Sequence, residues 1–307
     1  MNEATAGDPM SSVKWSRKST RAVSRELKVS HTKAWHMLKK AEYRLRTNRK
    51  RLARKSSEHR EEQFQIIERL KKSFSRGEQP IISVDAKKRE LVGEFKNAGR
   101  VWRQAPRDVS MYDFPSDADG VAIPYGIFDV SRGDGFVVIG TTHNTPAFAA
   151  HSISEWWARG GRAAHPDARK VLILADSGSS NGSRARDWKE GLQAIANRTG
   201  LRITVAHYPS GASKWNPVEH RLFGPISINW AGQPLRDYET ICNFIGSTRT
   251  TSGARCGVVV DRNTWPTQKE LAAAGIKRPA PATLNITHGS AIPQLNYTIS
   301  PVAVPRN

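Results

Sequence analysis

Cysteine is almost missing: Cys242 and Cys256 are the two in 307 residues, and they lie in unlike settings. They offer neither a disulfide framework nor a zinc knuckle and read as buried or half-buried thiols. No HExxH and no His/Cys cluster points to zinc. Long apolar runs are missing too, so no segment is long enough to cross a bilayer. The opening MNEATAGDPMSS has neither the basic start nor the apolar stretch of a secretory signal. A cytoplasmic chain is expected, and the sequons at Asn197, Asn285 and Asn296 then mean nothing. No GxGxxG opens a helix, no Walker lysine follows a glycine-rich loop, and no GxSxG elbow is present. Dinucleotide-binding, P-loop and serine-hydrolase readings fall with them.

Acids are outnumbered, 28 against 48 Lys and Arg, for a formal charge of +20. More than half of that excess falls in the first quarter of the chain, across KWSRKSTR, KKAEYRLRTNRKRLARK and RLKK. Like charge held together at a repulsive cost usually meets a polyanion, with a merely soluble basic surface as the alternative. Apolar content of 38% and nine tryptophans can supply a core. The length suits one large domain and a small one.

Residues 1–46 read as a small basic region resembling a helix-turn-helix. Ser19 and Thr20 can cap TRAVSRELK, with Ala22, Val23 and Leu27 as its apolar stripe. Ser30 can cap HTKAWHMLKKAEYRL, with Ala34, Trp35, Leu38 and Ala41 on one side. The second helix would present His31, Thr32, Lys33, His36 and Lys40 to a major groove. Residues 47–79 read as a basic linker and the helix EEQFQIIERLKKSF, which either packs on the next domain or extends the DNA-binding region.

From Pro80 strands and helices alternate. PIISVD, KRELVGEF, AIPYGIFD, DGFVVIG, KVLILAD and LRITVAHY read as strands. TPAFAAHSISEWWARGG, capped by Thr145 with Pro146 at its first position, and SRARDWKEGLQAIANRTG read as helices. This order predicts a mixed α/β sheet flanked by helices over residues 80–278. The long insertion GRVWRQAPRDVSMYDFPSDADG is expected near the active face. Residues 279–307 form a tail rich in Pro, Ser, Thr and Asn, expected to be loosely ordered or laid on the surface as extended chain.

Three carboxylates stand at matched places. Asp85 closes PIISVD, Asp176 closes VLILAD, and Glu219 opens a helical turn in KWNPVEHRLF. Oxygen ligands without thiolates suit Mg²⁺ or Mn²⁺, and with the basic charge they point to phosphodiester chemistry on nucleic acid. Two ions are expected, with Asp85 bridging both, Asp176 holding one and Glu219 the other. Each acid taken singly reads as well as a strand-end turn cap, and Lys87 or Lys88 could pair with Asp85. Asp129 ends a strand and competes with Asp85, or else sets a hairpin turn with Asp134. Around the acids, Asn181 could orient Asp176, and Arg184 and Lys214 could hold a DNA backbone. His207, Lys214 and Asn216 are expected to converge on Glu219, with His207 either an acid-base group or a buried, hydrogen-bonded histidine. His220 donates to a phosphate or fills the helix side.

Four segments then carry a resemblance. PIISVDAKKRELVGEFKNAGRVWR, AIPYGIFDVSRGDGFVVIGTTHNTPAFAAHSISEWW, LILADSGSSNGSRARDWKEGLQ and HYPSGASKWNPVEHRLFGPISINWAGQPLRDYETICNFI resemble the ISAzo13-family DDE transposases of bacterial insertion sequences. The resemblance implies an RNase H-like core and the triad Asp85, Asp176 and Glu219. It further implies Mg²⁺-dependent strand cleavage and transfer at terminal inverted repeats, with target DNA as second substrate and a homo-oligomer on DNA, in the nucleoid. Two departures are informative. Members usually carry a longer region ahead of SSVKWSRKSTR, so a decayed or an N-terminally shortened copy is one reading. The ADGGGSNG-like loop also stands as ADSGSSNG, with Ser177 and Ser179 at glycine positions. Another RNase H-like nuclease, or an inactive DNA-binding remnant, is the alternative.

Overall fold

The computed structural model describes residues 5–7, 14–16, 18–44, 59–277, 280 and 282–302. The chain divides into two compact units, residues 1–53 and 54–307. In the first, β1 (Thr5–Gly7) and β2 (Lys14–Ser16) pair antiparallel, followed by α1 (Thr20–Glu26) and α2 (His31–Lys40). Both helix starts follow cap chemistry: the Ser19 side chain accepts from the Ala22 amide and that of Ser30 from the Lys33 amide. Between the helices Lys28 adopts φ 51°, and Ser24 Oγ donates to the Val29 carbonyl at 2.6 Å. Val23 and Ala34 are buried between them. Trp35, expected on the inner side, is instead 45% exposed with the Lys39 ammonium 4.9 Å over its ring. Two helices this short have too little surface to cover an indole. The expected boundary at residues 46–47 lies outside the described residues.

The second unit begins with α3 (Arg60–Arg76), β3 (Ile81–Ala86), β4 (Glu90–Val92), β5 (Gly120–Asp129) and β6 (Gly135–Gly140). α4 (Pro146–Trp156) runs through a π turn, Trp157–Gly161, into α5 (Arg162–Ala164). Then come β7 (Lys170–Ala175), α6 (Arg186–Thr199), β8 (Arg202–His207), a second π turn Glu219–Phe223, α7 (Gly224–Asn229) and α8 (Tyr238–Ser247). β9 (Cys256–Asp261), α9 (Gln268–Ala273), β10 (Ile286–His288) and β11 (Asn296–Ile299) complete it. Local chemistry sets the helix ends. Thr145 accepts from the Phe148 amide with Pro146 at the first position of α4, and Gly200 closes α6 at φ 76°.

Among the described residues one nine-stranded sheet forms, in the order β10-β11-β8-β7-β3-β5-β6-β9, with β4 pairing β5 off this path. β3, β5 and β6 are antiparallel, whereas β7 runs parallel to β3, β8 parallel to β7 and β9 parallel to β6. This mixed sheet flanked by helices is the RNase H-like arrangement the sequence predicts. Alternation sorts the strands into two faces. Ile82, Val84, Ile173 and Val205 pack with Phe148 and Trp188 from α4 and α6. On the other face Ile81, Leu172, Leu174 and Ala206 pack with Ile67 and Phe74 of α3. Beside them Phe128 and Val137 meet Val218, Leu222, Ile226 and Ile241.

Two expectations are corrected. KRELVGEF supplies only the three residues of β4, because the chain turns away at Gly93, φ 140°. Of the two readings of the tail, loose order is corrected and extended chain holds over its described residues, but as strands of the sheet: β11 pairs antiparallel with β8 and β10 pairs with β11. Tyr297 is buried beneath α6, and Asn296 exchanges hydrogen bonds with Gln63 of α3. The insertion between β4 and β5 is irregular and exposes Trp102, Met111, Tyr112 and Phe114.

Candidate active site

The register of β3 and β7 brings the first two acids together. Val84 lies opposite Ala175 on the neighbouring parallel strand, so one residue further Asp85 stands beside Asp176, about one strand spacing, ~4.8 Å, away. Both extend the rows on the α3 face, Ile81–Ser83–Asp85 on one strand and Leu172–Leu174–Asp176 on the other. The sheet ends here, so two rows of otherwise uncharged side chains finish in carboxylates at the edge of solvent.

Glu219 reaches the same face by a different route. Its segment is pinned to β3: Ser83 Oγ donates to Asn216 Oδ1, the Val218 amide donates back to Ser83 Oγ at 2.9 Å, and Asn216 Nδ2 donates to the Val84 carbonyl at 3.1 Å. Gly126 is the residue opposite Asp85 on β5. A Cβ there would lie 2.5 Å from Phe223 and 3.1 Å from Val218, and one at Gly135 2.5 Å from Leu222. These glycines let the π turn lie flat on the sheet, with Glu219 at its first position.

The electrostatics follow from this crowding. Asp85 is buried, and burial first, then the Asp176 charge, raises it from 3.8 to about 8. The Ala86 amide, donating to Asp85 Oδ1 at 2.7 Å, opposes this. Glu219 raises it further, by its charge and by a side-chain hydrogen bond. Asp176 is raised chiefly by burial and also by Glu219, against the lowering influence of the Gly178 amide and Asn181. Asn181 is oriented from behind: Tyr125 donates to its Oδ1 at 2.7 Å, which leaves the buried Nδ2 turned towards Asp176 without completing a hydrogen bond.

The remaining expected residues are placed as follows. His207 does not converge on Glu219. It lies on the opposite face, fully buried, with Nδ1 donating to the Asp176 carbonyl at 2.8 Å and Nε2 3.1 Å from the Tyr297 hydroxyl. With the imidazole proton on Nδ1, Nε2 is the acceptor, so the Tyr297 hydroxyl, which accepts from the Trp188 indole, donates to His207. Burial lowers His207 to about 4, so it is a neutral brace behind Asp176. Asn216 holds Ser83 and Val84, Lys214 and His220 are exposed, and His220 Nε2 contacts the Lys214 carbonyl. Arg184 is exposed on the rim of a cleft of about 400 Å³ that reaches Ser177, next to Asp176. His31, Thr32, Lys33, His36 and Lys40 are exposed on α2 in the first unit, with His31 Nε2 2.7 Å from Thr20 Oγ1.

The rival acid is elsewhere. Asp129 is three residues along β5 from Gly126, roughly 10 Å away. It caps the hairpin turn at Ser131 and Arg132 and meets His165 at 2.6 Å. Lys87 is held by Glu90 and by the Trp230 ring instead of Asp85. Ser83, Tyr125 and Gly126 were not singled out by the sequence, although a serine two residues before Asp85 and a glycine inside a strand were signals available there.

As a donor set the acids suit a hard divalent cation: the ligands are carboxylate oxygens, and among the described residues no Lys or Arg forms an ion pair with any of the three. They are not a ready-made cage, since no group of three or more His, Cys, Asp or Glu among the described residues is disposed to hold a metal ion.

A mixed sheet of this order, with acids gathered where its central parallel strands end, defines a protein of the RNase H-like DDE class. The family described as the Rhodopirellula transposase DDE domain matches residues 1–301, and the chain belongs to that family. No curated protein matches it. Among solved structures it is similar to the Mos1 transposase paired-end complex with left transposon end, at 15% identity and TM-score 0.47, covering 74% of this chain and 65% of that one. The Mos1 mariner paired-end complexes with Mn and with Mg follow at 16% and 14% identity, with TM-scores of 0.44 and 0.45 and the same coverage. The alignment thus spans less than two thirds of the Mos1 chain.

Proposed function

We propose that this chain is a DNA transposase that cleaves strands at the ends of its element and joins the freed 3′-hydroxyl to target DNA. Asp85, Asp176 and Glu219 would hold Mg²⁺ or Mn²⁺, two ions when fully loaded. Bound metal would make water or a terminal hydroxyl a better nucleophile and neutralise the leaving oxygen. The chain's own residues do the rest. Ser83 and Asn216 fix the Glu219 segment against β3, His207 braces the Asp176 backbone, and Asn181 favours its ionised form. Arg184 and Lys214 hold the DNA backbone, and α2 carries His31, Thr32, Lys33, His36 and Lys40 to the terminal inverted repeats. Handling two ends calls for a homo-oligomer on double-stranded DNA.

The observation that carries this reading is a pair of acids on one face of adjacent parallel strands, one of them weakened to about 8 by burial and by its acidic neighbours. Such an arrangement costs stability unless a cation relieves it. The test is cleavage of duplex DNA bearing the element's ends, in Mg²⁺ or Mn²⁺. Asp85→Asn, Asp176→Asn and Glu219→Gln should each abolish cleavage while leaving DNA affinity nearly unchanged. Undiminished cleavage in these variants would sink the assignment. Binding of the ends without cleavage by the wild-type chain in either metal would favour an inactive remnant. Cleavage without end preference or joining would favour another RNase H-like nuclease.

A further inference from the structure

Two cations share an indole that lies four residues before Glu219. Trp215, 45% exposed, lies in the same short segment as Asn216 and Glu219. The Lys214 ammonium sits 4.0 Å from its ring centroid and the Arg60 guanidinium 4.8 Å. Arg60 comes from α3, contacts the Phe64 ring at 5.5 Å, and donates one hydrogen bond to the Ser210 carbonyl at 3.4 Å. Phe64 in turn meets the Trp215 edge at 5.6 Å. Neither cation has a carboxylate within ion-pair distance among the described residues. A guanidinium has five N–H donors in a fixed fork and an ammonium three, so most of their donors face water.

The geometry points to a phosphate clamp: Arg60 and Lys214, held over Trp215, grip a backbone phosphate of the DNA strand that runs past Asp176 and Glu219. The proposal rests on the reading of this chain as an enzyme acting on DNA, and adds the group that fixes the strand. Two connections tie the clamp to the acids. Asn216, the next residue after Trp215, is bonded to β3 at Ser83 and Val84, so the indole cannot drift relative to Asp85. The cleft of about 400 Å³ that includes Ser210, the partner of Arg60, also includes Ser177, adjacent to Asp176, and Arg184. A strand lying in that cleft would pass Ser210, to which Arg60 is bonded, and Ser177, which neighbours Asp176. Aromatic support holds both long side chains ready, so less rotamer freedom is lost on binding.

Salt dependence tests this without relying on cleavage. Each phosphate that the protein ceases to neutralise makes log K against log[salt] shallower by about 0.9 for duplex DNA. This increment is independent of how the rest of the chain meets the DNA. The full-length protein is titrated against a labelled duplex oligonucleotide across a range of salt. Arg60→Gln with Lys214→Gln, which together free that one phosphate, should make the slope shallower by about 0.9, and exposed Lys214→Gln alone by less. Trp215→Leu, which keeps both charges, should weaken binding several-fold. Lys269→Gln, an exposed lysine on α9, should leave the slope unchanged. An unchanged slope in the double variant overturns the clamp, even where the wild-type protein cleaves DNA with metal. The expected flattening in a protein that cleaves nothing supports the clamp and overturns the catalytic reading instead.

Discussion

Asp85 and His207 lie on opposite faces of the sheet, and the fold drives their proton affinities apart. Asp85 rises from 3.8 to about 8 by burial and by its acidic neighbours, and His207 falls from 6.5 to about 4 by burial. Between pH ~4 and ~8 the folded chain therefore binds a proton at Asp85 that the unfolded chain has released, so stability falls as pH rises through that window. His207 acts oppositely: the unfolded chain holds a proton between ~4 and ~6.5 that the folded chain lacks, so its contribution is lost as pH falls. The two nearly cancel below pH ~6.5, leaving a decline from there to about 8. Asp85→Asn should lessen that decline, leaving the share that the raised Asp176 carries, and raise metal-free stability at pH 8 by ~1–3 kcal/mol, one pKa unit being about 1.4 kcal/mol. Below pH ~6.5 the variant's stability should rise more with pH than the wild type's, because His207 is no longer offset by Asp85. Denaturant midpoints at pH 4, 6.5 and 8 check this, and a variant whose profile parallels the wild type refutes it.

At the scale of elements, the site depends on how closely the Glu219 turn lies on the sheet. Gly126→Ala would push a methyl group into Phe223 and Val218. Overpacking of this kind costs ~1–3 kcal/mol. The larger consequence should be displacement of Glu219 from Asp85, with cleavage falling at least tenfold while DNA binding persists. A melting curve and a cleavage assay on the same preparation would separate the two effects; full activity at a lowered Tm would show that Glu219 does not depend on this seat. The same elements show what a sequence discloses. The caps at Ser19, Ser30 and Thr145 were legible because a cap is made within three residues of its partner. Asp85 and Asp176 were legible because a strand's end is written locally in its apolar run. The Ser83–Asn216 link spans 133 positions and the Gln63–Asn296 link 233, and no local pattern announces either. Composition misled for the tail, whose Asn296 and Tyr297 become ordered only because Gln63, Trp188 and His207 await them.

At the scale of the whole molecule, the proposed function divides the work between the basic first unit and the acid-bearing second unit, and α3 sets the place to separate them. The sequence left open whether this helix extends the DNA-binding region. Its Ile67 and Phe74 pack against the sheet, and its Gln63 donates to the His207 carbonyl at 2.8 Å and to Asn296 Oδ1 at 2.9 Å. Residues 54–307 should therefore keep the Tm of the intact chain within a few degrees, since they retain all the packing around that sheet. They should lack the exposed cations of α1 and α2, Arg21, Arg25, Lys33, Lys39 and Lys40 among them. Leaving roughly five or more phosphates without a cation predicts a fall in affinity on the order of 10³-fold or more at physiological salt, with a shallower salt slope. A chain starting at residue 77 should behave differently, because removing α3 uncovers Leu172, Leu174 and Ala206 and leaves Asn296 buried without its partner. It should be insoluble or fail to melt cooperatively. Expressing both truncations side by side tests this division: a soluble, cooperatively melting chain from residue 77 would show that α3 belongs with the DNA-binding region after all.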